Sequence, residues 1–348
     1  MNEQAQKIKV GISIGDFNGI GMEVILKTFK DARMMDFCTP IVFGSTKAAS
    51  INRKAIEMQD FSFNIINTIK DANPKRANLL NIWQDDIEIK FGEATTKSGE
   101  LAFESIKKAC DALKNNEIDV LVTAPINKAS IKEKVSNFIG HTEFLQGNFE
   151  GKSLMIMVSD IMKIAFVTGH IPLSEVKKTI SIENIIKKTN QLNQSLISDF
   201  GCRKPKIAII GLNPHAGENG MLGTEEKEII TPAIQQLKEE IMVFGPYPAD
   251  SFFTQKNLQR FDGILSMYHD QGLTPFKTLS FSEGVNYTAG LNIVRTSPVH
   301  GTAYEIAGKA QANEQSFREA VFMACDIFKK RAEFKEINSN PLAIKTRT

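Results

Sequence analysis

The chain has five histidines in 348 residues, few enough for each to be weighed by where it falls. His170 closes KIAFVTGH (163–170), His215 closes KIAIIGLNPH (206–215), His269 lies near the end of DGILSMYHD (262–270), and His300 follows LNIVRTSP (291–298). Each stands at or just beyond the C-terminal end of a short apolar run, the edge of an open α/β sheet at which ligands bind. Three imidazoles from separate strand ends suit a divalent transition metal, with a fourth position left for water or substrate. The gaps, 215 − 170 = 45 and 269 − 215 = 54 residues, form no local metal motif. Spacing alone therefore leaves both a three-histidine metal site and a set of hydrogen-bonded loop histidines open. The fifth, His141 in FIGHTEFL, follows a glycine and precedes Thr142 and Glu143, where a helix is expected to start.

Lys277 in TPFKTL and Arg295 in NIVRTSP are cations in otherwise uncharged surroundings. An isolated cation away from water is costly unless an anion meets it, so phosphate or carboxylate recognition suits both, with Asn286 as an uncharged donor nearby. For Lys277 taken alone, snorkelling at a surface explains its place better. Asp250 in GPYPADSFF and Asp270 in YHDQG are carboxylates suited to supporting a metal histidine or assisting proton transfer, or simply to forming turns and caps. In GDFNGIGME (15–23), Gly15, Gly19 and Gly21 do not follow the G-x-G-x-x-G dinucleotide pattern, and no acidic residue stands at a strand end about 20 positions on. That stretch reads first as a tight strand-to-helix turn, and second as an anion or substrate contact.

The elements that must carry these residues are β-rich runs at 9–16, 40–44, 119–125, 154–160, 163–170, 206–215, 262–270 and 291–298, each of the kind buried on both faces of a largely parallel sheet. Helical patterns lie between several of them: 98–116 with Ser98 as a cap, 181–200, and 223–240 with Thr224 as a cap and Pro232 expected to kink or split it. Alternation of strand and helix predicts an α/β fold. With 42 basic against 40 acidic side chains and a net charge of +2, nothing calls for nucleic acid or an anionic membrane. The absence of a long apolar run and of a signal-like start predicts a cytoplasmic protein, and the four scattered cysteines suggest neither a disulfide framework nor a thiolate metal site. The polar tail 336–348 is expected to be loosely held.

Together GDFNGIGMEV, TAPINKAS (123–130), GHTEFL (140–145), TGHIPLSEV (168–176), GLNPHAGENGMLGTEE (211–226), GPYPADSFF (245–253), MYHDQGLTPFKTL (267–279), GVNYTAGL (284–291) and VRTSPVHGTAYEIAGK (294–309) resemble the 4-hydroxythreonine-4-phosphate dehydrogenase family of pyridoxal phosphate biosynthesis. The likeness runs from about residue 8 to about residue 330. It implies a two-domain α/β/α fold of the isocitrate and isopropylmalate dehydrogenase type, with the active site in the inter-domain cleft. The first domain is expected at 1–128 plus 265–348, and the second, with much of the metal site and the dimer interface, at 129–264. It implies one divalent metal per active site (zinc, magnesium, manganese or cobalt) on His170, His215 and His269, in a homodimer that shares the site. Substrate contacts carried over are His141, Thr142, Lys277, Asn286 and Arg295; Asp250 matches a family aspartate near the metal, and Asp250, His141 or a relayed water remain open as the base. The cofactor is NAD, or NADP, with no residue assigned to it.

The implied reaction oxidises 4-phosphooxy-L-threonine to 2-amino-3-oxo-4-phosphooxybutanoate, which loses carbon dioxide to leave 3-amino-2-oxopropyl phosphate. Three departures stand out. Phe17 and Met22 replace the two prolines of the usual first loop, which predicts a shifted loop with its chemistry intact, and Val299 stands where the family commonly has aspartate, which alters what His300 can bond. The rival readings are a paralogue acting on a phosphorylated four-carbon sugar acid such as 4-phospho-D-threonate, a hydrolase or lyase with the same three-histidine metal site, and a non-catalytic phosphate-binding relative.

Overall fold

The computed structural model of the chain describes residues 7–83 and 87–340. Its strands in chain order are β1 (Ile8–Ser13), β2 (Cys38–Gly44), β3 (Asn64–Ile66), β4 (Asn78–Asn81), β5 (Val120–Thr123), β6 (Gly151–Val158), β7 (Lys163–Phe166), β8 (Lys206–Ile210), β9 (Met242–Tyr247), β10 (Gly263–Ser266), β11 (Val285–Leu291) and β12 (Arg295–Pro298). With their helices they make a mixed α/β fold of two compact units, Met1–Asp160 with Phe276–Cys325 and Ile161–Pro275 with Asp326–Thr348.

In the first unit the strand order is β3-β4-β2-β1-β5-β12-β11-β6. The strands from β3 to β12 run parallel, whereas β11 is antiparallel to both β12 and β6. β2 is buried at every position, as expected of a strand covered on both faces. The helix Thr96–Lys114 turns Ala102, Ile106, Ala109, Cys110 and Leu113 inward, and these pack with Ile41, Phe43 and Leu121 from the strands. Ser98 does not cap this helix: Thr95 does, and Ser98 is its reciprocal partner in a capping box, which puts the cap three residues earlier than the residue type suggested.

In the second unit the order is β7-β10-β8-β9, all parallel. The helix Ile182–Ser198 starts on its Ser181 cap. The segment expected to be kinked by Pro232 is split there, into a single wide turn, Glu226–Ile230, and a helix, Thr231–Leu237, in whose first turn the missing proline N–H breaks no bond. Thr224 lends this segment only its carbonyl, which accepts from the Glu228 N–H at 2.8 Å.

Two expectations are corrected. Val285–Leu291 form a strand that the apolar runs did not reveal, and the run 291–298 is the last residue of that strand, an irregular stretch and the whole of β12. The expected domain limits at 128 and 264 also differ from the observed units, because β6 is hydrogen bonded to β11 from Gly151–Leu291 to Val158–Val285 and so belongs with the first unit. Of the tail, the helix Gln315–Asn338 extends to 338, and 341–348 lie outside the described residues. Among the described residues no helix is long and apolar enough to cross a membrane.

Candidate active site

The second unit holds the three histidines that follow strand ends. The backbone N–H groups of Val167 and Thr168 donate to the carbonyls of Ser266 and Met267 at 2.8 and 3.1 Å, and the Thr168 hydroxyl donates to the Met267 carbonyl at 2.8 Å. This pairing beyond the ends of β7 and β10 brings His170 and His269 side by side, with ring centroids 5.0 Å apart. His269 opens the helix His269–Ser280, and its Nδ1 meets Asp270 Oδ1 at 2.7 Å. An imidazole held at Nδ1 presents Nε2 to a ligand, the arrangement common in metal-binding histidines.

Gln271 ties the adjoining loops together. Its Oε1 accepts from the Met267 N–H at 2.8 Å and its Nε2 donates to the Gly211 carbonyl at 2.6 Å, which links the turn after β10 to the turn after β8. His215 lies in that second turn. From His215 to Asn219 the backbone is left-handed throughout, with φ of 52° at His215, 51° at Ala216, 80° at Gly217, 41° at Glu218 and 56° at Asn219. Four of these five are not glycine, and each such residue costs about 1–2 kcal/mol, so neighbouring structure must impose the turn. Glu225 and Glu226 do so through Asn213: its N–H donates to Glu226 Oε1 at 2.7 Å and its Nδ2 to Glu225 Oε2 and Glu226 Oε2 at 2.8 and 2.9 Å. A Cβ on Gly217 would lie 2.6 Å from Glu226 Oε2, which explains the smallness of the loop. The Glu225 carboxyl is held down at about 2, first by the Lys177 ammonium 2.5 Å away. Asp250 is exposed in the short helix Ala249–Phe252, which packs on the His215 turn.

The donor chemistry of this set suits a divalent ion, and the His170–His269 pair already supplies two neighbouring imidazoles. Among the described residues no group of three or more His, Cys, Asp or Glu side chains is gathered to hold one.

The first unit carries a polar cluster of different character. Arg295 opens β12 between Leu121 of β5 and Thr288 of β11, and is only 2% exposed. Its Nε and Nη2 donate to the Thr123 hydroxyl at 3.1 and 2.6 Å, and its Nη1 to the Thr288 hydroxyl at 3.1 Å. Burial lowers the guanidinium to about 10. A buried cation bonded to hydroxyls, with N–H donors to spare, is poised for an anion.

His141 begins the helix His141–Gln146 as expected, and Thr142 is half-buried beside it. The His141 Nε2 is buried with no hydrogen-bond partner, as is Oδ1 of Asn286 on β11. Burial, then Arg295, then Lys128 push the His141 imidazole well below its usual range, so it stays neutral. Lys277 is half-buried, its ammonium 6.0 Å from the Phe281 ring centroid. The Nε2 of His300, beside Val299 where the family commonly has aspartate, is also buried and unpartnered.

Asp16 and Asn18 were missed by the reading of the first glycine loop. Asp16 is fully buried; its Oδ2 accepts from Tyr304 OH at 2.7 Å and Ser98 Oγ at 2.9 Å, and its Oδ1 from the Asn18 N–H at 2.9 Å. Burial raises its carboxyl against the pull of these donors. Asn18 accepts from the Lys90 N–H and donates to the Glu93 carbonyl, both at 2.9 Å. The loop is thus the tight turn expected of it, with a structural hub inside, and Phe17 and Met22 are both in the core.

The family model described as pyridoxal phosphate biosynthetic protein PdxA matches residues 36–324. A 4-hydroxythreonine-4-phosphate dehydrogenase of Bacteroides thetaiotaomicron is 47% identical over 343 residues, 97% of this chain and 94% of that protein. A protein of Oceanobacillus iheyensis, provisionally named a D-threonate 4-phosphate dehydrogenase, is 38% identical over 332 residues, 93% of this chain and 98% of its own length. The crystal structure of 4-hydroxythreonine-4-phosphate dehydrogenase from Klebsiella pneumoniae superposes with a TM-score of 0.80 at 31% identity, covering 94% of this chain and 99% of that one.

Proposed function

The chain belongs to the PdxA family of pyridoxal phosphate biosynthetic proteins, and from that membership we propose that it oxidises 4-phosphooxy-L-threonine with NAD to 2-amino-3-oxo-4-phosphooxybutanoate, which decarboxylates to 3-amino-2-oxopropyl phosphate. The observation that carries the reading is the anion-ready cation in the first unit, a buried guanidinium on two hydroxyls, accompanied by the unpartnered Nε2 of His141 and by Oδ1 of Asn286, an acceptor for a donor group of the ligand. Unsatisfied buried polar atoms cost about 1–3 kcal/mol each, which a polar ligand would recover.

In this reading Arg295 and Lys277 hold the anionic ends of the substrate, and Thr142, Asn286 and His141 fix its orientation by hydrogen bonds. Two groups are proposed to take the hydroxyl proton: His141, whose imidazole is kept neutral, and Asp250, in the turn against His215. His170, His215 and His269 would hold a divalent cation, which supplies Lewis acidity towards the alcohol and the ketone when bound. The isocitrate and isopropylmalate dehydrogenase type of fold belongs to the same proposal, as does a homodimer that shares the site. Supporting the dimer, Ile171, Leu173, Met221 and Leu222, close in sequence to His170 and His215, are exposed apolar side chains of the second unit, and Leu173 and Leu222 line an open pocket of about 510 Å³.

The D-threonate reading has one observation in its favour, the name of the 38% identical relative. NADH formation followed by absorbance, with 4-phosphooxy-L-threonine and 4-phospho-D-threonate run side by side on metal-loaded protein, separates the two. Preference for the amino acid supports the proposal; preference for the threonate moves the chain to sugar-acid oxidation, and silence with both removes the dehydrogenase reading.

A further inference from the structure

The turn after β5 contains a lysine that none of the substrate contacts above includes. Its backbone is tightly held: the Asp16 N–H donates to the Pro125 carbonyl at 2.9 Å, and the Asn127 side chain caps the helix Lys128–Lys132 by accepting from the Ser130 N–H at 3.1 Å. Gly99 presses on the same turn, since a Cβ there would stand 2.4 Å from the Ser130 carbonyl carbon. From this fixed base the Lys128 side chain crosses over Gly140. The point a Cβ of Gly140 would occupy is 3.2 Å from Lys128 Nζ and 2.8 Å from Glu143 Oε2. A side chain at 140 would displace the ammonium, so the glycine keeps open the place next to His141 where the cation rests.

Two cations therefore act on His141, whose Nε2 is sealed without a partner: the buried Arg295 guanidinium and the Lys128 ammonium beside Gly140. We propose that Lys128 is a further substrate-binding residue, which swings from beside Glu143 onto the phosphate monoester and makes the site selective for a dianion. The field of Lys128 and Arg295 at His141, which helps to keep that ring neutral, is the same field a dianion would meet. A monoanionic carboxylate needs one cation; a phosphate dianion with three acceptor oxygens uses two cations and a neutral donor. The exposed lysine is thus held near Gly140, one residue from His141, within reach of its target.

The inference rests on the proposed substrate class, and inorganic phosphate as the probe separates its failure from failure of that reading. Phosphate binding to the full-length protein is measured by calorimetry, and KM and kcat are measured with 4-phosphooxy-L-threonine, for wild type, Lys128→Met and Lys128→Arg. Lys128→Met should weaken phosphate binding and raise the substrate KM by about tenfold or more, with kcat within a few-fold and the KM for NAD unchanged. Lys128→Arg should recover most of the loss. Because Lys128 is exposed, the variants should keep the wild-type thermal midpoint. Phosphate binding that Lys128→Met leaves intact overturns the assignment while the substrate reading stands. Wild-type protein that binds phosphate in a Lys128-dependent way but turns over neither phosphorylated acid upholds the assignment and removes the reading. Wild-type protein that binds no phosphate overturns the assignment itself.

Discussion

Arg295 and Thr123, 172 positions apart, meet through two hydrogen bonds, with Nε and Nη2 of the guanidinium both donating to one hydroxyl at 3.1 and 2.6 Å. The hydroxyl positions the cation without neutralising it. A carboxylate in its place would quench the charge, and the site would lose its attraction for an anion.

Arg295→Met should therefore separate function from stability. In phosphate-free buffer its thermal midpoint should stay within a few degrees of wild type or rise, because an uncompensated buried charge is removed at the expense of two hydroxyl partners. Turnover should fall about 100-fold or more through the loss of a charge-assisted contact. A variant that unfolds while wild type is stable would show the guanidinium to be structural.

His141 supplies a pH prediction. Its imidazole lies below the ordinary value of 6.5, through burial first and the nearby Arg295 and Lys128 second, with Glu143 the acidic neighbour. The folded state then binds fewer protons than the unfolded chain below pH 6.5, so stability falls as pH drops from there towards the folded value. Histidine side-chain NMR should show the His141 ring, alongside the buried His300 ring that burial also lowers, failing to titrate around 6.5, and His141→Gln should remove the His141 signal and flatten the acid limb of the thermal midpoint. A normal titration of this ring would contradict the neutral state.

The paired rings of His170 and His269 predict cobalt binding that is visible independently of turnover. Titrated with cobalt(II), the protein should develop d–d absorption, and His170→Ala, His215→Ala and His269→Ala should each weaken the affinity by at least about tenfold. Absorption that survives all three substitutions would place the metal elsewhere.

Gly15 turns the chain with φ of 67°, and a Cβ there would lie 2.2 Å from the Pro125 carbonyl oxygen. Gly15→Ala should destabilise the protein by about 3 kcal/mol, from the left-handed conformation and the clash together. Urea unfolding measures it; a change under about 0.5 kcal/mol, the size of an ordinary surface substitution, would show that the turn is free to relax.

Much of the scaffold was legible because local patterns encode it. The apolar runs ending before His170, His215 and His269 are observed strands, and Pro232 divides its helix where the missing N–H requires. The strand Val285–Leu291 escaped notice because Asn286, Thr288 and Gly290 interrupt its apolar content, although Val285, Tyr287, Ala289 and Leu291 carry the alternation of a strand. The left-handed turn at His215 was foreshadowed only by its glycines, since four of its five positions are residues that ordinarily avoid that conformation.

What the sequence by itself determined was the α/β alternation, the strand-end placement of the three histidines, and the motifs that mark the family. These depend on neighbours along the chain, where periodicity and turn chemistry act over a few residues. Only the tertiary structure decided that Arg295 rests on hydroxyls, that His141 is kept neutral, that Lys128 reaches past Gly140, and that Tyr304 bonds Asp16 across 288 positions. The strength and charge state of a polar group depend on which partners packing brings to it and on how much water packing removes, and neither quantity is carried by local spacing.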